Sequence, residues 1–394
     1  MAGKDYRALK ITVITVCYNE KDKIRETVEN VCRQTYPHIE YLLMDGASTD
    51  GTMEILREYD DRDNVHIYSE PDSGVYNAMN RGIARATGDY VFFLNAGDLF
   101  FDRQVVAEAA SCMAREGEEA IYYGSVCMIQ ADGLQEMVDF SRQEGTLEEK
   151  LLEGAMPCHQ SVFVPGRLLA EYRFPEEYRI RADYAWMLYA AVRGVPFKRI
   201  PVTVSYYDVT GTSGRMKNYG RWLEETERIV DLYRERLLGG VTALPRESDA
   251  AEWKFLSRKN RLLFQLMSCW MALKQEGVEL KDFLQEKGYH SIAIYGMGNL
   301  GNILLRELEG SSIRVDYLID RNAKNLCTAL PIYRTTDALP PVGVVIVTAP
   351  LSFYEIRKAL AQKVACPVVS LEDLLYEMRD GASRLGKAET EGRA

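Results

Sequence analysis

The chain has 394 residues, 47% of them apolar, and a formal net charge of −10. That length allows two domains with separate cores, while the acidic balance disfavours wholesale binding of nucleic acid, so a nucleotide site would need local groups and a cation. No stretch approaches the roughly 18–20 apolar residues needed to cross a bilayer. The segment Met1 to Arg7 leads into a strand without a separate apolar leader, and the eight cysteines show no Cys-x-x-Cys spacing. Both features point to reduced thiols in a cytoplasm, and away from secretion or a zinc knuckle.

Ile11 to Val16 reads as a buried strand, followed by Cys17-Tyr18-Asn19-Glu20 and a helix with Ile24, Val28 and Val31 on one face. A second strand, Ile39 to Met44, ends in Asp45-Gly46-Ala47-Ser48-Thr49-Asp50-Gly51-Thr52, and the next helix carries Ile55, Leu56 and Tyr59. Val65 to Tyr68 is a third strand and Tyr76 to Ala86 a third helix. Then Val91-Phe92-Phe93-Leu94 runs into Asn95-Ala96-Gly97-Asp98, an apolar strand that stops on an acid. So apolar a strand belongs inside a mostly parallel sheet, and its acid is delivered at the carboxyl edge, where ligands bind in open α/β sheets. There Asp98 suits a magnesium or manganese ligand, because hard cations prefer oxygen and share sites with substrate phosphates. Capping of the following helix is the bland alternative. Ala120 to Met128 and Ser161 to Val164 read as further strands of a doubly wound α/β domain.

A charged helical stretch runs from about Tyr219 to Lys287, broken near Gly239-Gly240 and Pro245. Between Trp253 and Lys274 it carries five Lys or Arg and no acid, with Phe255, Leu256, Leu262, Leu263, Leu266, Met267, Trp270 and Leu273 as an apolar arc. Packing between domains or in a homo-oligomer is the leading expectation; contact with an anionic membrane surface is the alternative. The βαβ pattern restarts at Ser291. Ile292 to Tyr295 enters Gly296-Met297-Gly298-Asn299-Leu300-Gly301, and the next strand ends in Asp320, the context of a dinucleotide fingerprint. Gly296, Gly298, Gly301 and Asp320 are therefore the candidate residues of a second nucleotide site. The unit lacks room for a catalytic domain, so a regulatory, assembly or vestigial module is favoured over a working NAD site. The expected division is 1–215, a helical linker at 216–288, a Rossmann-like domain at 289–380 and a disordered tail at 381–394.

In the first half, the loops after three strands must meet on one sheet edge. They bring Asn19 and Glu20, Asp45 and Asp50, and Asn95 and Asp98 together, with Glu70 to Gly82 between them. Carboxylates suit a nucleobase imide or ribose hydroxyls, and one can hold the cation that neutralises a diphosphate. Arg81 has the planar fork for phosphate, a helix salt bridge being the other option. The order and spacing of Ile14 to Glu20, Asp45 to Thr52, Glu70 to Gly82 and Leu94 to Asp98 resembles the glycosyltransferase family 2 enzymes. It is most similar to the bacterial branch that builds exopolysaccharide, capsule or O-antigen. That resemblance implies a GT-A fold over about residues 10 to 215 and an inverting transfer from a nucleotide sugar, usually a UDP-hexose.

Its implied donor-binding residues are Thr15, Cys17, Tyr18, Asn19, Glu20, Asp45, Ser48, Asp72, Arg81 and Asn95, with Asp45 on the nucleobase. It implies Mn2+ or Mg2+ on Asp98. Most relatives of this kind carry Asp-x-Asp-Asp, whereas Asn95 and Gly97 replace two of the acids here. The late acidic motif of the family falls on Asp183, the implied base on the acceptor hydroxyl, against which stands a plain helix-capping role. Arg181 beside it would keep it ionised. His159, Gln160 and Arg181 are the candidate acceptor or sugar contacts, with His159 as a metal ligand or satisfied core residue also open. A Cys158 nucleophile finds no Cys-His-Asp arrangement to support it. Thr210 to Arg215 reads either as a loop closing over the donor diphosphate, with Arg215 as a late cation, or as a plain connection. The expected partners are the nucleotide-sugar donor and a glycan or lipid-linked acceptor, in the cytoplasm or peripherally at the inner face of the plasma membrane. The alternatives are an NAD-dependent sugar-modifying protein, which would leave Asp45, Asp98 and Asp183 unexplained, and a non-catalytic scaffold, which the loss of two acids at 95 and 97 favours and which Asp183 and the intact Asp45 loop oppose.

Overall fold

A computed structural model describes residues 8–130, 135–208, 215–237, 248–321, 323 and 328–391. Seven consecutive buried residues form β1 (Ile11–Cys17), whose β-branched side chains suit a strand packed on both faces. There follow α1 (Ile24–Cys32), β2 (Ile39–Asp45), α2 (Thr52–Arg57), β3 (Val65–Ser69), α3 (Val75–Ile83), β4 (Tyr90–Phe93), β5 (Leu99–Phe100) and α4 (Val105–Glu116). Next come β6 (Ile121–Ile129), β7 (Gln135–Val138), α5 (Leu147–Leu152), β8 (Val162–Pro165), α6 (Gly166–Glu171), α7 (Ala182–Val192), β9 (Phe197–Asp208) and α8 (Tyr219–Leu237). The strands make one mixed sheet in the order β3-β2-β1-β4-β8-β6-β9-β5, with β7 beside β6. β1 pairs in parallel with β2 and β4, and β8 turns antiparallel against β4.

Period-two alternation along β1 sorts its side chains onto two cores. Ile11, Val13 and Cys17 pack with Ile24 and Val28 of α1, Leu56 of α2 and Val105 of α4. Ile14 and Val16 pack with Ala78 and Met79 of α3 and with Tyr184 and Leu188 of α7. Helices cover both faces of the sheet, the doubly wound arrangement expected from the sequence. Its parallel strands therefore end together, with Asp45 in register with both Cys17 and Ser69.

The chain divides into two compact units. The first comprises Met1–Ile129, Gln135–Val209 and Arg221–Arg246; the second comprises Gln130–Leu134, Thr210–Gly220 and Glu247–Ala394. The segment 216–288, expected as one linker, is thus split between the two. The second unit contains α9 (Ser248–Gln275), α10 (Leu280–Glu286), β10 (Ser291–Tyr295), α11 (Asn299–Leu308), β11 (Arg314–Ile319), β12 (Ile332–Tyr333), β13 (Val344–Val347), α12 (Phe353–Leu360), β14 (Val368–Ser370) and α13 (Leu371–Glu391). Its sheet is wholly parallel, in the order β12-β11-β10-β13-β14. On α9, Leu266, Cys269, Trp270 and Leu273 are buried while Phe264 and Met271 are exposed, so the apolar arc serves largely as core of this unit. The tail expected to be disordered from 381 carries α13 as far as Glu391, because Leu371, Leu374, Leu375 and Met378 give that helix a buried face. The expected breaks at Gly239-Gly240 and Pro245, and the loop Thr210 to Gly214, lie outside the described residues. No described helix is long and apolar enough to cross a membrane.

One buried acid staples the outer end of the first sheet. Glu40, 6% exposed, accepts from Lys10 Nζ at 2.8 Å, Thr12 Oγ1 at 2.6 Å and the Thr87 amide at 2.8 Å. Burial alone would raise its pKa, but these donors outweigh it and hold it at about 2. Glu40→Gln should therefore lower unfolding stability by about 2 kcal/mol at neutral pH, read by urea titration. Because the folded pKa is depressed, the difference from wild type should persist above pH 4.5 and vanish as pH falls toward 2.

Candidate active site

The first two strand-end loops are latched to each other by side chains acting as backbone partners. The Asn19 amide donates to Ser48 Oγ at 2.8 Å, and Asn19 Oδ1 accepts from the Thr49 amide at 2.9 Å. The Glu20 amide donates to Thr52 Oγ1 at 2.9 Å and the Lys21 amide to Asp50 Oδ2 at 3.1 Å. Asn19 and Ala47 both take positive φ, 55° and 63°, which costs an alanine about 1 kcal/mol and marks a loop held by its surroundings. Asp45 lies beneath, 1% exposed, accepting from Ser48 Oγ at 2.5 Å and Ser69 Oγ at 2.6 Å. Above it, a Cβ on Gly46 would stand 2.6 Å from Asp72 Oδ2 and 3.2 Å from the Tyr18 ring, so a side chain there would displace Asp72. Tyr18 itself is 60% exposed and offers an aromatic wall at the rim.

The fourth loop meets the late acidic motif through one short turn. His159–Ser161 forms a single 3-10 turn just before β8. Its His159 Nδ1 lies 3.3 Å from Asp183 Oδ2, and its Nε2 lies 3.4 Å from Asn95 Nδ2. The next residue, Gln160, donates from Nε2 to Asp98 Oδ2 at 3.3 Å, while its Oε1 accepts from Cys158 Sγ at 2.8 Å. Asp183 sits in the first turn of α7. Its Oδ1 accepts from the Tyr184 amide at 2.8 Å and lies 3.0 Å from the Tyr76 hydroxyl. The loop before it is pinned by Glu225 of α8, which accepts from the amides of Arg179, Ile180 and Arg181 at 2.8, 3.0 and 3.0 Å.

Burial works against a charged Asp183, yet His159, Arg181 and the Tyr184 amide outweigh it and leave its pKa below the ordinary carboxylate value. For His159 burial disfavours the cation, but Asp183 and then Asp98 raise its pKa overall. Burial pushes the Cys158 thiol far up, so it serves as a donor to Gln160 and not as a nucleophile.

Among the described residues, no group of three or more His, Cys, Asp or Glu could hold a metal unaided. Asp98 with the half-buried Asn95, whose Oδ1 is buried without a partner, fits a divalent ion only when a diphosphate supplies further oxygens.

Other expected residues have more local duties. Thr15 is fully buried, and its hydroxyl donates to the Leu94 carbonyl at 2.6 Å, tying β1 to β4. Arg81 donates to the Glu70 carbonyl at 2.9 Å and stands 3.4 Å from the Glu70 carboxylate, the salt-bridge alternative. Arg181 is buried, stacked 3.9 Å from the Tyr184 ring and donating to the Gly154 carbonyl at 2.6 Å. Arg215 pairs with Asp373 in the second unit. Tyr76, Ser69 and Glu225 went unassigned from sequence. Tyr76 lies within the Glu70–Gly82 motif, but nothing in the chain around Glu225 signals its role.

The glycosyl transferase family 2 profile matches residues 12–166. A Mycobacterium tuberculosis protein described as an uncharacterized glycosyltransferase is 30% identical over 236 residues, which are 58% of this chain and 86% of that protein. TuaG of Bacillus subtilis, named for teichuronic acid biosynthesis, is 43% identical over 90 residues, 22% of this chain and 36% of its own length. Among solved structures, Staphylococcus aureus TarS residues 1–349 with UDP-GlcNAc superposes at TM-score 0.48 and 18% identity, over 64% of this chain and 72% of that one. The Pyrobaculum calidifontis mannosyltransferase PcManGT, with GDP-Man and Mn2+, superposes at 0.45 and 18%, over 67% and 87%. The chain belongs to glycosyltransferase family 2. It is a glycosyltransferase, and its first unit carries the GT-A sheet of that family.

The matched stretch ends well before α9 to α13, where the second glycine fingerprint has its own geometry. Gly296 takes φ 93° at the end of β10. A Cβ on Gly301 would stand 2.0 Å from the Gly296 carbonyl oxygen, so α11 packs directly on the loop there. Asp320 Oδ2 accepts from the Met297 amide at 2.7 Å, and Gly298 faces open space. A Tyr-x-x-x-Lys spacing stands on α12 as Tyr354 and Lys358; the Tyr354 hydroxyl donates to Asn218 Oδ1 at 3.2 Å. Gly301→Ala should destabilise the second unit by about 3 kcal/mol, since the clash is with backbone that cannot step aside. Hydrogen exchange should show β10 and α11 losing protection while β1 and β2 keep theirs.

Proposed function

We propose that the enzyme transfers a hexose from a UDP-sugar to a hydroxyl of a glycan or lipid-linked acceptor, by direct displacement with inversion, in cell-surface polysaccharide synthesis. The observation that carries this reading is the convergence of Asp183 with the Asn95–Asp98 loop through the two side chains of one turn, His159 and Gln160. An inverting displacement needs a base on the acceptor hydroxyl and an electrostatic hold on the departing diphosphate, near enough to act on the same anomeric carbon. Family membership supports the nucleotide-sugar donor, and the naming of TuaG for teichuronic acid biosynthesis supports the polysaccharide setting.

In this mechanism Tyr18 and Asp72 flank the nucleoside above Gly46, and Asp45 keeps the loop beneath in shape. Asp98 would hold a manganese or magnesium ion, which supplies charge neutralisation at the diphosphate. Asp183 Oδ1 is engaged by Tyr76 and Tyr184, so Oδ2 is the oxygen with room for a proton. As the acceptor oxygen bonds to the anomeric carbon and the bond to the diphosphate breaks, Asp183 Oδ2 takes the hydroxyl proton. A lowered Asp183 pKa keeps the base ionised at neutral pH.

The first test is a thermal-shift screen of the purified full chain against UDP, GDP, dTDP, CDP and NAD, with and without manganese, followed by UDP-sugar turnover. A manganese-dependent UDP shift is expected; a shift with NAD alone would move the centre of function to Gly296–Asp320. Asp183→Asn should cut turnover by roughly 10³-fold while leaving the UDP shift intact, and loss of that shift would sink the base assignment. Asp98→Ala should weaken the manganese-dependent shift, and an unchanged one would refute the ligand assignment. The depressed Asp183 pKa places the acid limb of turnover below pH 3.8, so activity should be flat with respect to this group from pH 5 upward.

A further inference from the structure

We propose that His159 is a positioning residue for the transfer: it aims Asp183, and Asn95 holds His159 in place. The proposal rests on the reading of Asp183 as the base. One oxygen of that carboxylate, Oδ1, accepts from the Tyr184 amide and lies 3.0 Å from the Tyr76 hydroxyl, whose one hydrogen is shared with the Ile180 carbonyl at 2.8 Å. Those contacts hold one end of the carboxylate, and His159 Nδ1 at 3.3 Å from Oδ2 holds the other, so the group is restrained from both sides against rotation about Cβ–Cγ. A carboxylate can only accept, so Nδ1 carries its hydrogen and donates it.

The support behind the imidazole is stiff. The Ser161 amide and Ser161 Oγ both donate to the Cys158 carbonyl, at 2.8 and 2.7 Å, and Ser205 Oγ donates to the Gln160 carbonyl at 2.5 Å. The same turn delivers Gln160 to Asp98, so its rigidity sets the spacing between the two acids. On the far side of the ring, Asn95 Nδ2 faces Nε2 at 3.4 Å while Asn95 Oδ1 has no partner among the described residues. With Nδ1 donating to Asp183, Nε2 is left to accept, and the amide nitrogen of Asn95 faces it as a donor, which a carboxylate could not be. This gives the asparagine in place of an acid a physical use.

The test compares His159→Ala, His159→Asn and His159→Gln with wild type and Asp183→Asn, by kcat and KM for the donor and the acceptor. Asparagine puts an amide nitrogen near the place of Nδ1, whereas glutamine, closer to histidine in size, puts it near Nε2. His159→Ala should lower kcat roughly 10–100-fold, with donor KM within about twofold. His159→Asn should recover most of that loss and His159→Gln should not. Rescue by glutamine instead would mean that the residue only fills space, and a kcat for His159→Ala within about threefold of wild type would overturn the role. Should the alanine variant fail to fold, the comparison of His159→Asn with His159→Gln carries the test alone, and equal kcat in those two variants overturns the proposal. If Asp183→Asn keeps full turnover, the base reading itself falls, and this proposal with it.

Discussion

Burial of β1 between two parallel neighbours is the constraint on which the site depends. Every residue of that strand is buried, and its parallel pairing with β2 and β4 makes three chain segments leave the sheet on the same side. Backbone leaving a sheet edge needs partners for its amides and carbonyls, and here short polar side chains supply them. Asn19, Ser48 and Thr52 latch the first loop to the second. A buried strand carries an acid only where donors stand within reach, as Asp45 has at the end of β2 and Glu40 at its start. A slip of one residue in β1 would exchange the two cores and break the register of Cys17 with Asp45.

Asp183 reaches the same place by a different route, and at a cost. It is 8% exposed and stands on a helix nearly all of whose residues are buried. Removing a carboxylate from water costs several kcal/mol unless hydrogen bonds and charge replace the water. The Tyr184 amide, Tyr76, His159 and the cation of Arg181 make that replacement. Arg181 in turn is buried against Tyr184 and Trp222, 3.9 and 4.7 Å from their rings. Glu225 then fixes the backbone that carries them by accepting three consecutive amides. An assembly this costly to bury fits a group whose protonation state matters to chemistry better than a helix cap, which needs no such surroundings.

How far the sequence discloses this depends on the separation of the partners. The strand-end motifs are local, so Asp45, Asn19 and Asp98 could be placed at one edge from pattern alone. The links that make the site one object are not local: Tyr76 to Asp183 spans 107 positions and Asn95 to His159 spans 64. No period or spacing encodes such pairs. Arg81, whose fork suits phosphate, is also engaged by its own loop at Glu70, a contact no pattern in the chain announces. The disorder expected after 380 failed for a further reason. Polar composition there was weighed without the buried face that begins at Leu371, and a helix with one buried face carries its polar end along.

The second unit is more than an appendage to the matched stretch, because it draws on three separate segments of the chain. From one of them, Arg215, Met216 and Lys217 are held at the start of α13. Glu372, fully buried, accepts from the amides of Met216 and Lys217 at 2.6 and 3.3 Å. Asp373 pairs with Arg215 and, at 2.7 Å, with Lys217 Nζ. Two acids in the first turn of a helix are stabilised by its dipole, yet burial raises the pKa of Glu372 against the pull of those amides. A buried acid with no backbone to bind would be a liability, so α13 is completed by residues that precede it by more than 150 positions. The fold of this unit therefore uses Arg215 to Lys217, which lie in the chain between β9 and α8 of the first unit.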